Sequence, residues 1–225
     1  MLVGEISETG VFDLRFLFIM RDETKMTDTR TAIRELIRST IEGEGSAWGE
    51  RGFFIVELAC RENSAGGIDE ITVTMDCDGA DDEGRMRGVG IDDCALLNRE
   101  VTARLEAEYG EGWDCQLTVM SAGLGQPLKL GRQYQKLIRQ ASLKDGGDLP
   151  RVDVLFKDGK KLTGAVLCGI GYDSSDDGAD APSAIEVAYT VKELVPGKKR
   201  KTDVEHREQI RLADTKAVSE HFDFK

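Results

Sequence analysis

Apolar positions recur at helical spacing early in the chain. Ile33, Leu36, Ile37 and Ile41 predict a helix over Arg30–Glu42, with Thr27 or Asp28 as its N-cap and Gly43, Gly45 and Gly49 ending it. The pattern then shortens to strand period. Phe53–Cys60 reads as one strand and Ile71–Asp76 as a second, with Ile71, Val73 and Met75 on one face and a Gly66-Gly67 turn in the connection Arg61–Glu70. Helical spacing returns at Cys94, Leu97, Val101, Leu105 and Tyr109, predicting a helix over Asp93–Tyr109 capped by Asp92, and Trp113–Met120 follows as a strand. The order α-β-β-α-β predicts a two-layer α/β sandwich, within an α+β protein.

The stretch Leu117–Leu143 organises the rest. It leaves that strand, turns through Ser121–Gly125 and continues as an amphipathic helix. Leu130, Tyr134, Leu137 and Ile138 gather on one side, and Lys129, Arg132, Lys136 and Arg139 on nearly the opposite side. The glycines at the turn serve either a tight strand-to-helix junction or close approach of the backbone to a phosphate; the stretch is neither G-x-G-x-x-G nor a P-loop. Residues 141–150, with Asp145-Gly146-Gly147-Asp148 and Pro150, form the expected linker between a domain at 26–140 and another at 151–225. Beyond it the period is two: Val152, Val154 and Phe156 alternate, Asp158-Gly159 signals a hairpin, and Leu162–Ile170, Ile185–Val195, Glu205–Leu212 and Ala217–Phe224 continue as strands. Several short strands with tight turns predict a small β-barrel. Residues 1–25 are expected to be an extension ahead of Met26; the alternative is an extra strand at Val11–Ile19.

Charge sharpens this picture. The 225 residues carry 30 basic and 42 acidic side chains, a net charge of −12. Residues 151–225 hold 13 basic and 14 acidic side chains, leaving 17 and 28 to the rest, so most of the negative charge lies in the first part. Against that background, residues 126–144 contain five Lys or Arg and no acid. Solvated faces usually mix signs, so Lys129, Arg132, Lys136 and Arg139 are the primary candidates for RNA phosphate contacts. Lys198, Lys199, Arg200 and Lys201 on a hairpin tip, with Lys160 and Lys161 on another turn, form a second group. Reversal of Arg132 and Lys136 to Glu is expected to leave the fold nearly intact, as for exposed positions.

Other chemistry is sparse. No apolar run reaches the roughly 18 residues of a membrane helix. Cys60, Cys77, Cys94, Cys115 and Cys168 form no C-x-x-C pair, and with His206 and His221 they offer no zinc spacing, so reduced thiols in a cytoplasmic protein and no metal or other cofactor are expected. Neither histidine sits in a hydrolase-like setting. The acidic runs Asp76–Glu83 and Asp173–Asp180 are read as solvated loops; the alternative, a hard-cation site in a metal-dependent hydrolase, would show as bound metal in the purified protein.

Two blocks carry a family resemblance. Ser121-Ala122-Gly123-Leu124-Gly125-Gln126-Pro127-Leu128 resembles the Ser-Ser-Pro-Gly-Leu-Asp-Arg-Pro-Leu signature of the ribosome maturation factor RimP family. Upstream, Gly90-Ile91-Asp92-Asp93-Cys94 with Asn98-Arg99 resembles that family's Leu-Asp-Asp-Cys helix start. Ala122, Gly125 and Gln126 stand where the signature has proline, aspartate and arginine, so Lys129 and Arg132 would take over any RNA contact of that arginine. The resemblance implies an SH3-like, Sm-related C-terminal barrel. It also implies a cytoplasmic, monomeric, non-catalytic factor that binds the small ribosomal subunit, both rRNA and ribosomal proteins, and assists its late assembly. The alternative is an Sm-like RNA-binding regulator built on the barrel alone, which a stable ring oligomer would favour.

Overall fold

The computed structural model describes residues 29–62, 64, 67–81, 83–110, 115–143, 149–172, 181–194 and 200–223. The extension 1–25, the caps Thr27 and Asp28, Lys198 and Lys199, half of the linker (144–148) and the whole second acidic run Asp173–Asp180 lie outside the described residues. Among the described residues the fold is mixed α+β, with two sheets and four α-helices.

The first unit comprises α1 (29–42), α2 (Ala47–Glu50), β1 (Phe53–Glu62), β2 (Ile68–Cys77), α3 (Ile91–Tyr109) and β3 (Gln116–Ser121). Its sheet has the order β1-β2-β3, β1 antiparallel and β3 parallel to the central β2. Parallel pairing requires a crossover, which α3 supplies. Ile33, Ile37 and Ile41 of α1 and Leu97, Val101 and Leu105 of α3 join Ile71, Val73 and Met75 of β2 in one core. Phe53, Phe54 and Ile55 are all buried; a bulge between Ile55 and Glu57 then resets the strand's alternation. The α3 cap differs from expectation. The helix starts at Ile91 after Gly90, and the Asp93 carboxylate, not Asp92, reaches back to accept from the Gly90 N–H at 3.0 Å.

The second unit comprises α4 (Gly131–Leu143), β4 (Arg151–Phe156), β5 (Lys161–Gly171), β6 (Ala184–Glu193), β7 (Thr202–Arg211), a 3₁₀ turn (Leu212–Asp214) and β8 (Thr215–Glu220). Tyr134 packs with Val152, Val154, Leu167, Ile185, Val187 and Val218, and Leu128 and Ile138 flank it, so the apolar side of α4 belongs to this second core. The expected β4–β5 hairpin forms at Asp158-Gly159: Gly159 adopts φ 88°, and the Lys160 N–H donates to the Asp158 carboxylate at 3.0 Å.

The strand order β7-β6-β5-β4-β8 leaves the sheet open, so the expected closed barrel is not formed among the described residues. Closure would need β7 beside β8. That edge of β8 is instead met by the strip before α4, where Pro127 bridges Ser219 and the Leu128 N–H donates to the Val218 carbonyl at 2.7 Å. This strip also delays α4, which begins at Gly131 rather than at the glycine turn. Buried Gln133 accepts from the N–H groups of Lys129 and Leu130 at 2.8 and 3.2 Å and so caps the helix start. No helix among the described residues is long and apolar enough to cross a membrane.

Candidate functional site

Both motif blocks and the basic helix converge between the two units. The Ala122 N–H donates to the Met75 carbonyl at 2.9 Å, tying the loop after β3 to the end of β2. Gly123 and Gly125 both take φ 72°, a left-handed conformation that side chains disfavour, and Leu124 between them is 83% exposed. Beneath the loop lies a cleft of about 340 Å³, lined among others by Asp76, Val89, Gln126, Lys136, Leu137 and Phe222. It borders both units.

The upstream block is an anchor for this loop. Asp93 receives Arg51 at 3.1 Å and Arg87 at 2.9 Å, and both guanidinium groups lie over the Phe53 ring. Asn98 donates to the Leu117 carbonyl of β3 at 2.9 Å. Burial pushes the Cys94 thiol up, as it does Cys77; both therefore stay protonated and poorly nucleophilic. Asp92 is exposed.

The four primary basic candidates each face a carboxylate of the first unit. Arg132 donates through Nε and Nη2 to Asp78 at 3.0 and 2.9 Å while its guanidinium stacks 4.2 Å from the Phe54 ring centroid. Lys136 Nζ meets Asp76 Oδ1 at 2.6 Å, with side chains 14% and 15% exposed. Arg139 reaches Asp78 at 3.5 Å and Lys129 reaches Glu57 at 2.6 Å. Four cations thus meet three carboxylates. Asp76 in β2 and Asp78 just after it belong to the acidic run expected to be a solvated loop, yet both pair with α4; Phe54 and Glu57 carry no sequence signal for this role. The one clue to this arrangement was the missing acid in the helix's own stretch. With Lys136 nearly buried and paired, reversing Arg132 and Lys136 is not a neutral surface change, contrary to the expectation from sequence.

The second basic group has different surroundings. Lys160, 81% exposed, pairs with its neighbour Asp158 at 3.0 Å. Lys161, Arg200 and Lys201 are exposed. Elsewhere on the second sheet, His221 lies between Asp153 at 2.7 Å and Asp223 at 3.1 Å. The Asp223 contact, with Asp153 adding to it against partial burial, raises its pKa above the usual imidazole value. Among the described residues no His, Cys, Asp and Glu side chains gather into a metal-ligand set.

The site therefore offers shape and charge: a two-unit α+β protein with a glycine-hinged loop and a basic helix between its units. No protein-family profile matches the chain. Part of it is similar to proteins named ribosome maturation factor RimP. The chain is 34% identical over 93 residues to the protein of Chlorobium limicola, covering 40% of this chain and 48% of that one. It is 32% identical over 108 residues to that of Chlorobium phaeobacteroides, covering 46% and 56%. It is 34% identical over 76 residues to that of Christiangramia forsetii, covering 33% and 48%. The chain thus matches about half the length of these relatives, and the similarity supports the RimP family.

Proposed function

We propose that this protein is a ribosome maturation factor that binds the small ribosomal subunit and assists its late assembly without catalysing a reaction. The observation that carries this reading is the similarity to three proteins named for ribosome maturation. The contact is electrostatic in part: the α4 cations and the turn cations Lys160, Lys161, Arg200 and Lys201, with Lys198 and Lys199 outside the described residues, meet rRNA phosphates. Ribosomal proteins meet other surfaces, which relieves the repulsion that a net charge of −12 brings. On this reading the first unit is a two-layer α/β sandwich and the second an SH3-like, Sm-related sheet, supported by the meander β4 to β7 with the last strand β8 returning beside the first after a 3₁₀ turn. The protein works as a cytoplasmic monomer without a cofactor. Sucrose-gradient sedimentation of cell lysate tests this. At low salt the protein is expected to travel with small-subunit particles and to leave them as salt rises; sedimentation only at the top of the gradient at every salt concentration overturns the proposal.

A further inference from the structure

The pairing of α4 is unusual in where its acids come from. All three carboxylates belong to the first unit, and the two hydrophobic clusters have no residue in common. Among the described residues the face is therefore closed by ion pairs across the units, together with the Arg132–Phe54 stack, and no buried apolar residue belongs to both clusters. Contacts of this polar kind between units leave relative motion as the default expectation.

The pairs also have the chemistry of a phosphate contact. A guanidinium fork donating two parallel bonds accepts a carboxylate or a phosphate equally well, and Arg132 makes that fork with Asp78. Arg132, Lys136 and Arg139 follow one another at i, i+4 and i+7, a line of cations roughly 10 Å long on the helix axis. Asp76, in the central strand, and Asp78, just after it, pair with all three.

We propose that Asp76 and Asp78 on α4, and Glu57 on Lys129 just before it, occupy the places of RNA phosphates, so that the first unit holds this face closed until RNA displaces it. The inference rests on the reading of α4 as an rRNA contact and adds its regulation. Displacement is an exchange. Each cation trades a carboxylate for a phosphate and stays satisfied, while the released carboxylates return to water. RNA with closely spaced phosphates is selected over isolated anions, because several cations must be matched at once. A chain of strongly negative net charge thereby keeps its basic helix covered when no RNA is present.

The test uses the full-length chain and a fluorescently labelled RNA stem-loop, with binding followed by anisotropy across a salt series. The isosteric pair Asp76→Asn with Asp78→Asn leaves every cation in place and removes their competitors. It is expected to bind the RNA about tenfold more tightly than the wild type, with a slope of log affinity against log salt steeper by nearly one unit per released cation. Small-angle scattering of the same variant is expected to give a larger radius of gyration. If the wild type binds and the folded double variant binds with the same affinity and slope, the covering role is overturned while the RNA contact stands. If neither binds, the reading of α4 as an RNA contact fails and takes this inference with it. Should circular dichroism find the double variant unfolded, Glu57→Gln decides. That residue is exposed, its loss frees Lys129 alone, and a two- to threefold gain is expected at roughly one unit of slope; no gain overturns the proposal.

Discussion

Two basic regions, similar as strings of letters, differ completely in three dimensions. The α4 face sits against carboxylates of another unit, with Lys136 and Asp76 nearly buried. Lys161, Arg200 and Lys201, on the β4–β5 and β6–β7 turns, point into solvent. The difference lies in what surrounds each cluster in space rather than in its own charge density. A cationic helix carrying an apolar side must dock, and docking brings its other side toward whatever the neighbouring unit presents. A hairpin tip has no such obligation.

That contrast can be broken most forcefully at its most buried point. Lys136→Glu sets a carboxylate against Asp76 in a poorly solvated contact, and a loss of about 3 kcal/mol is expected, read as a fall in the urea midpoint. An unchanged midpoint would place the α4 face in the same solvated class as the hairpin tips. Arg132→Lys keeps the charge but loses the two-pronged bond to Asp78 and the stack on Phe54, with an expected cost of about 1–2 kcal/mol by the same measurement. A cost no larger than that of an exposed control would mean that charge alone matters there.

At the other region the expected stability change is small and the binding change is not. Lys161→Glu with Lys201→Glu should alter stability by within about 0.5 kcal/mol, while affinity for small subunits falls and its salt slope flattens by nearly one unit for each phosphate contact removed. Unaltered cosedimentation would remove Lys161 and Lys201 from the candidates. The smallest effect expected is that of His221, where a titratable group joins the comparison. Its folded pKa is raised, so its contribution is complete below the unfolded value of about 6.5 and disappears as pH rises through the folded value. Thermal melts of the wild type between pH 6 and 8 should therefore lose more than those of His221→Gln, by less than about 1 kcal/mol. Parallel curves for the two proteins would remove His221 from the account.

Local signals were the legible ones. Ile33, Ile37 and Ile41, the alternation of β2, the spacing of Leu97, Val101 and Leu105, and Asp158-Gly159 each act within a few residues, and each element formed where its pattern lies. Asp92 is not the cap: the helix starts two residues before the expected Asp93, with Gly90 at the cap, and which of the two adjacent aspartates reaches back to the Gly90 N–H is decided by backbone geometry alone. The open sheet was not legible, since it depends on Pro127 and Leu128 meeting an edge of β8 about ninety residues later. The partners of Lys129, Arg132 and Lys136 lie 72, 54 and 60 residues away. No periodicity reports such distances. Only the charge imbalance of the helix hinted that its partners were elsewhere.

The meeting of Pro127 with Ser219 also sets an order of events during translation. The ribosome makes these two residues 92 positions apart, which at about 5–20 residues per second is an interval of roughly 5–20 s. Throughout it β1, β2, α3 and β3 are already made, so α4 can lay its cations on Asp76 and Asp78 while the sheet destined for Tyr134 is still being synthesised. The ionic partners of the helix are thus available to it before the strands of the second core are synthesised.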